Sequence, residues 1–328
     1  MRVLATAKMS RAMLVERWPG WVAQALLLVV VGGLAWRGAA NFHANMQALG
    51  LAAGFDFLRM QAGFEIAQAL IPFGPASSYL RAIVVAVLNT LLVITLAGAF
   101  STLLGLSIAF GRLAPAGLVR GVSSAYVEVF RNIPVLLQIL FWYSSAIALL
   151  PDVADSLHFA GALLNNRGLF LPLGPEPPHV EGFDVSGGVA ILPELMALTL
   201  GLSIYNGAFL AEIFRAGILS VPRGQVEAAS TVGLTGMRAA LLITLPQALR
   251  VALPAAGGQY QILAKSSALA AAIGYPDIMQ IVGGTIASQT SQALEAMALV
   301  VVLYAAINLG IALVAGLSNR ALLRHEGR

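Results

Sequence analysis

SVPRGQVEAASTVGLTGMRAALLITLPQALR, residues 220–250, decides how this chain is organised. It is a polar island between long apolar stretches. Arg223, Glu227, Arg238 and Arg250 fall inside it and Arg215 just before it, too much charge for a membrane span. Pro222 suits a helix start, where its missing N–H costs nothing. Gln225–Val232 is expected to form a short helix containing Glu227-Ala228-Ala229. Gly233 suits a left-handed helix terminus, and Thr235 can cap a following helix. Met237, Ala240, Leu241 and Ile243 give that second helix an apolar face, and Pro246 is expected to bend the chain as it enters the next span. Two helices meeting at a small corner make a compact knob that another protein could grip. An ordinary loop between spans is the other reading of the same composition.

The surroundings of the island define the class. The 328 residues are 59% hydrophobic and only 10% charged, with mean hydropathy +0.84. A soluble domain carries about 25% charged residues. Most of this chain therefore belongs in lipid, where only helices and closed barrels satisfy every backbone polar group. The apolar runs are long and continuous, which selects helices over alternating barrel strands.

About six spans are expected in this all-α integral membrane protein: Trp18–Trp36, Ala82–Gly111, Val122–Leu150, Gly188–Ala211, Val251 to about Tyr275, and Ala296–Asn319. The fifth reads as irregular, with Pro254, Gly257, Gly258 and Lys265 inside it. Two polar segments, Gly38–Arg81 and Pro151–Gly187, share one side; the second is rich in Pro and Gly and reads as an ordered loop. A second reading of the first span is a cleaved signal peptide, given its basic start and the small residues at Gly38-Ala39-Ala40, against its length and Trp36-Arg37.

Charge gives orientation. With the N-terminus inside, Arg2, Lys8, Arg11, Arg17, Arg112, Arg120, Arg131, Arg215, Arg223, Arg238, Arg250, Arg320, Arg324 and Arg328 all fall inside, most of the 19 basic residues. Asp56, Glu65, Asp152, Asp155, Glu176, Glu181 and Asp184 fall outside. This bias puts both termini and the island in the cytoplasm. The net charge of +4 is thus a matter of topology, and no nucleic-acid partner is implied. There is no cysteine, which excludes disulfides and thiolate sites, and the four histidines have no metal-ligand spacing. Neither lysine, Lys8 or Lys265, follows a glycine, so no P-loop is present. No catalytic residue, metal or cofactor is expected.

Glu227-Ala228-Ala229, Gly233 and Leu245-Pro246 resemble the EAA motif of ABC-importer permease subunits. Tyr205, Ala211-Glu212, Arg215, Gly217-Ile218, Ser220–Gln225 and Pro246–Arg250 resemble the polar amino acid uptake branch of that family. So do Val127-Glu128, Phe130–Pro134, Leu137-Gln138 and Asn89-Thr90. Gly63-Phe64 and Leu70-Ile71-Pro72 are similar to the larger general L-amino-acid permeases, which also carry an extra first span. The resemblance covers about Phe55 to the C-terminus. It departs from the family after Lys265, where Ser266-Ser267 replaces an acid or amide followed by Thr or Ser.

That resemblance implies a type I ABC importer permease bundle with a cytoplasmic coupling helix, moving L-amino acids, polar ones in this branch, across a bacterial inner membrane. It implies residues 1–81 as an extra span with a periplasmic segment and 82–328 as the permease domain. The implied partners are a separate ATP-binding subunit, a second permease subunit (identical or related), a periplasmic amino-acid-binding protein and the bilayer. Glu227, Ala228, Ala229, Gly233 and Pro246 would couple to the ATPase. Lys265, Ser266 and Asn89 are candidates for the translocation pathway, Lys265 because an ionisable group in a span needs a reason, though it could also snorkel. Glu128 and Arg131, three residues apart, are expected to pair on one helix face. The alternative function is an ion-gradient-driven secondary amino-acid transporter; the near absence of mid-membrane ionisable relays argues against it.

Overall fold

The computed structural model describes residues 20–34, 36–38, 40, 41, 44, 45 and 54–324. Trp18, the basic N-terminal residues and Arg328 lie outside them. The chain divides into two compact units, 1–55 and 56–328. In the first, α1 (Gly20–Gly38) is long and apolar enough to cross a membrane.

The second unit is a helical bundle built on α2 (Tyr79–Leu113) and α5 (Pro193–Leu219). No charge interrupts α2 between Arg81 and Arg112. At 1.5 Å per residue it extends about 50 Å, well beyond a hydrocarbon core of about 30 Å. The bundle centres on α5, and its small residues explain why. A Cβ added at Gly105 of α2 would lie 2.8 Å from the Leu210 Cβ. One added at Gly201 would press on Ile139 at 3.0 Å, and one at Gly217 on the Ala248 carbonyl at 2.8 Å. Small residues let helices approach closely where lipid supplies no hydrophobic drive between them. Gly310, by contrast, has nothing within 4 Å and borders an open apolar groove between helices.

The third span is not one helix. α3 (Gly117–Asn132) and α4 (Val135–Leu149) meet at 103°. Pro134 forbids helical geometry at the residue before it, and Ile133 is extended at φ −88°, ψ 125°. The Gln138 amide donates to the Phe130 and Ile133 carbonyls, both at 3.0 Å, filling acceptors that the break orphans.

The Pro151–Gly187 segment is more ordered than a loop. It carries β1 (Leu157–Phe159), β2 (Ala162–Asn165), β3 (Gly168–Leu171), β4 (His179–Glu181) and β5 (Asp184–Ser186), followed by β6 (Val189–Ile191). β1, β2, β3 and β6 form an antiparallel sheet, with Leu163 opposite Phe170 in the β2–β3 register; β4 and β5 form a separate hairpin. Every second residue of β2 and β3 is buried, the period of a one-faced sheet. The fourth span consequently begins at Pro193, not Gly188, and runs on to Leu219.

α6 (Arg223–Thr231) and α7 (Gly236–Ala239) follow α5; a π-helical turn, Ala240–Thr244, then leads into α8 (Leu245–Ser266). Pro254, Gly257 and Gly258 therefore lie inside one continuous helix and do not interrupt it. A 3₁₀ segment, Ser267–Ile273, ends at Gly274 with φ +76°. A second π-helical stretch (Met279–Ile286), α9 (Ala287–Thr290) and α10 (Ala293–Arg324) complete the bundle. Residues 56–66 pack on this end of the chain: Phe57 and Ala62 are buried with Tyr79, Ile278 and Val282. Residues 56–81 therefore belong to the same compact unit as the bundle.

Two substitutions test this architecture. Gly105→Val should overpack the α2–α5 contact and cost about 1–3 kcal/mol. Gln138→Leu should orphan two carbonyls at the α3–α4 bend and cost a similar amount, about 1–3 kcal/mol. Both should lower the thermal midpoint of the detergent-solubilised protein, whereas Gly310→Ala, in open space, should not.

Candidate functional site

The corner predicted at Gly233 is present. Pro222 caps α6 with φ −61°, ψ 135°. Gly233 has φ +81°, its N–H donates to the Ser230 carbonyl at 3.1 Å, and the Leu234 N–H donates to the Ala229 carbonyl at 2.9 Å. These two bonds are a Schellman closure, which needs a left-handed residue where they cross. Nothing lies within 4 Å of a Cβ built on Gly233, so the backbone angle, not crowding, selects glycine. Ala229 of α6 and Ala239 of α7 are each 4% exposed. Every other residue of α6 is exposed, Glu227 and Ala228 included, and beyond it Val232 is 74% exposed. A helix with one buried residue has little tertiary packing to hold it, and so has a face free for a partner.

Pro246 occupies the first turn of α8 and is half-buried, and the helical run continues through it. The π turn before it explains this: the Leu245 N–H reaches back to the Ala240 carbonyl, widening the turn where a proline ring would strike the carbonyl four residues earlier.

The residues proposed for the translocation pathway lie far from this corner. Lys265 is exposed on the last turn of α8, and Ser266 is half-buried beside it. A cation there meets the negative end of the helix dipole. Asn89 is fully buried and works as a brace: its amide donates to the Gln68 carbonyl at 2.7 Å and the Pro276 carbonyl at 3.0 Å. Beside it, Thr90 accepts from the Ile278 N–H at 3.1 Å and the Tyr275 hydroxyl donates to the Asn89 carbonyl at 3.3 Å. Asp277 completes this knot, accepting from the Gln280 N–H and the Tyr304 hydroxyl, each at 2.8 Å. Burial pushes its carboxyl up to about 7. Sequence reasoning missed Asp277 because a single acid after Tyr-Pro carries no spacing signal.

It also missed the ion cluster at the α6 end. Arg112 pairs with Glu212, and Arg215 donates to the other oxygen of Glu212 at 2.5 Å. Glu128 and Arg131 do not pair. Arg131 lies over the Phe209 ring instead, 4.9 Å from its centroid. Glu212 and Arg215 stand together in the sequence, but nothing there says that Arg112, a hundred residues earlier, joins them.

Residues 101–324 match the family described as the binding-protein-dependent transport system inner membrane component. The chain belongs to this family. It is therefore a permease component of the inner membrane that crosses it several times. Its relatives include the putative amino-acid ABC transporter permease protein YhdX of Escherichia coli (strain K12), 36% identical over 92% of this chain and 93% of that one. The general L-amino acid transport system permease protein AapQ of Rhizobium johnstonii is 35% identical over 87% and 88%. A solved structure titled as an amino acid ABC transporter with histidines superposes with TM-score 0.56 at 27% identity, covering 74% of this chain and 95% of its own. The MetNI methionine ABC transporter, at 20% identity and TM-score 0.52, shares the fold.

The Asp277 knot gives a pH prediction. A carboxyl raised in the folded state favours folding fully below about pH 4, and that contribution is lost as the pH rises to about 7. The thermal midpoint should fall over this window, and it should fall less in Asp277→Asn, where the titrating group is gone.

Proposed function

We propose that this chain is the membrane-spanning permease subunit of an ABC importer for L-amino acids, driven by ATP hydrolysis on a separate subunit. The observation that carries the cargo is end-to-end similarity, over about nine-tenths of both chains, to a protein named as an amino-acid ABC transporter permease. Energy coupling is assigned to the α6 corner: Glu227, Ala228, Ala229 and Gly233 dock into the ATPase, with Pro246 starting the helix that carries the movement inward. The exposure of α6 and its rigid Schellman closure support this assignment. A second permease subunit and a periplasmic amino-acid-binding protein complete the assembly. Residues 1–81 add a span and a periplasmic segment to a permease domain at 82–328, and Lys265 and Ser266 face the pathway. Both termini and residues 220–250 are cytoplasmic and 151–187 periplasmic, in accord with the arginine bias.

The coupling assignment is tested with two substitutions. Gly233→Asp forces a side chain into a left-handed turn, at about 1 kcal/mol. Glu227→Lys turns an attraction to a basic partner surface into repulsion. Both variants should insert at wild-type levels, co-purify poorly with the ATPase and lose ATP-dependent uptake in vesicles containing the ATPase and the binding protein. Uptake by the wild-type chain alone on a sodium or proton gradient would overturn the reading.

Topology has a separate test, made simple because the chain has no cysteine. His179→Cys should react with a membrane-impermeant maleimide in intact cells, and Gln225→Cys only after permeabilisation. Labelling of Gln225→Cys from outside would reverse the arrangement.

A further inference from the structure

A polar cavity of about 520 Å³ opens at the α6 end of the bundle, between the last turn of α2, α3 and α5. Arg112, Ser124, Glu128, Arg131, Phe209 and Glu212 line it. Two of these charges are committed, since Glu212 is bound by Arg112 and by Arg215. The other two are free. Among the described residues, neither the Glu128 carboxylate nor the Arg131 guanidinium makes a hydrogen bond or an ion pair. One turn apart on α3, they are placed to bond each other. They are kept apart by the stacking of Arg131 on Phe209. Asn132 adds no charge, and its amide donates back to the Glu128 backbone carbonyl at 2.6 Å.

One anion and one cation, side by side and unpaired in an open cavity, complement a ligand that carries both charges on neighbouring atoms. The cavity's charged residues balance, two arginines against two glutamates. A simple anion such as phosphate would meet two carboxylates, and a simple amine two guanidiniums. An α-amino acid meets neither penalty: its carboxylate can take the guanidinium edge bidentately, and its ammonium can face Glu128. Stacking on Phe209 pre-orients the guanidinium plane and leaves its N–H edge free to donate. The volume falls within the range of small-molecule sites, about 300–1,000 Å³.

We propose that Glu128 and Arg131 form a zwitterion site at the α6 end of the permease, where the backbone ammonium and carboxylate of an amino acid are held. The proposal rests on the amino-acid cargo argued above and adds a place for it. The site reads the groups that all α-amino acids share, so selection among side chains must occur elsewhere. Glu128 and Arg131 are solvent-exposed, so binding is weak and exchange fast, as suits a point of release.

The absence of cysteine provides a local reporter. Ser124→Cys places a thiol on the cavity wall of the assembled transporter, and its reaction with N-ethylmaleimide is followed in inside-out vesicles. L-glutamine, L-glutamate, L-asparagine and L-aspartate are added singly. At roughly ten times Kd, a protecting amino acid should slow modification about elevenfold. Glutaramate, which lacks the α-ammonium, and the decarboxylated amine of glutamine should each fail to protect. Glu128→Gln or Arg131→Gln in the reporter background should abolish protection, and Arg131→Lys should retain part of it. Asn132→Cys serves as a second reporter on the same cavity if Ser124→Cys does not assemble. Protection that is unchanged in Glu128→Gln and Arg131→Gln, or absent throughout while uptake proceeds, would overturn the site and leave the cargo reading intact. Absence of uptake for every amino acid in the wild-type transporter would overturn both.

Discussion

Everything in this bundle depends on how closely α5 can be approached. Between two apolar helices in lipid there is no hydrophobic gain from meeting, only dispersion at short range, and dispersion fades within an ångström of a gap. Gly201, Gly217 and, from the α2 side, Gly105 remove the atoms that would hold the helices apart. All three contacts touch backbone, at the Ile139 Cα and N, at the Ala248 carbonyl, and at the Ala211 N and Gly207 carbonyl, so no rotamer change could relieve an added methyl group. With α5 fixed on three sides, the ends of α2, α3 and α8 gather around its own end, where Arg112 and Arg131 reach α5 residues. That is how a polar corner with one buried residue in α6 and an ion cluster at Glu212 come to lie at the same end of the molecule.

Much of this was legible in the sequence, for a physical reason. Lipid imposes long uncharged helices, so α2, α5 and α10 appear as runs of the right length. The α6 corner was readable because a left-handed terminus requires glycine, and Gly233 stands where the helix must stop. Errors arose where one residue type has two uses. Pro134 lies in a run that reads as one span, although the helix breaks before it; Pro254 reads as a break, although α8 runs through it. A proline's effect depends on whether the turn before it can move aside, and that is tertiary information. The outer sheet was hidden by its own turns: Pro and Gly dominate the composition around β4 and β5, and the alternation that marks a strand survives only in the four-residue pieces β2 and β3.

The site residues divide in the same way. Glu227, Ala228, Ala229 and Gly233 are neighbours in sequence, so one local motif places them together. Asn89 stands out in sequence only through its resemblance to the family; its amide partners are carbonyls of Gln68 and Pro276, close in space and invisible in one dimension. The expected pair of Glu128 and Arg131 failed for a related reason. Spacing along a helix says which side chains can meet, but Phe209, on another helix, decides where the guanidinium goes.

From Gly236 to Ser266 the chain is helical without interruption, through α7, the π turn and α8. At 1.5 Å per residue this is a rod of roughly 45 Å, the depth of a bilayer with its headgroups. One end is hinged to the exposed corner by a four-residue link, Val232–Thr235, and the other ends beside Lys265. A strut of this kind carries displacement rather than absorbing it. The π turn at Ala240–Thr244 is the place where the strut can flex, and it lies next to the exposed corner.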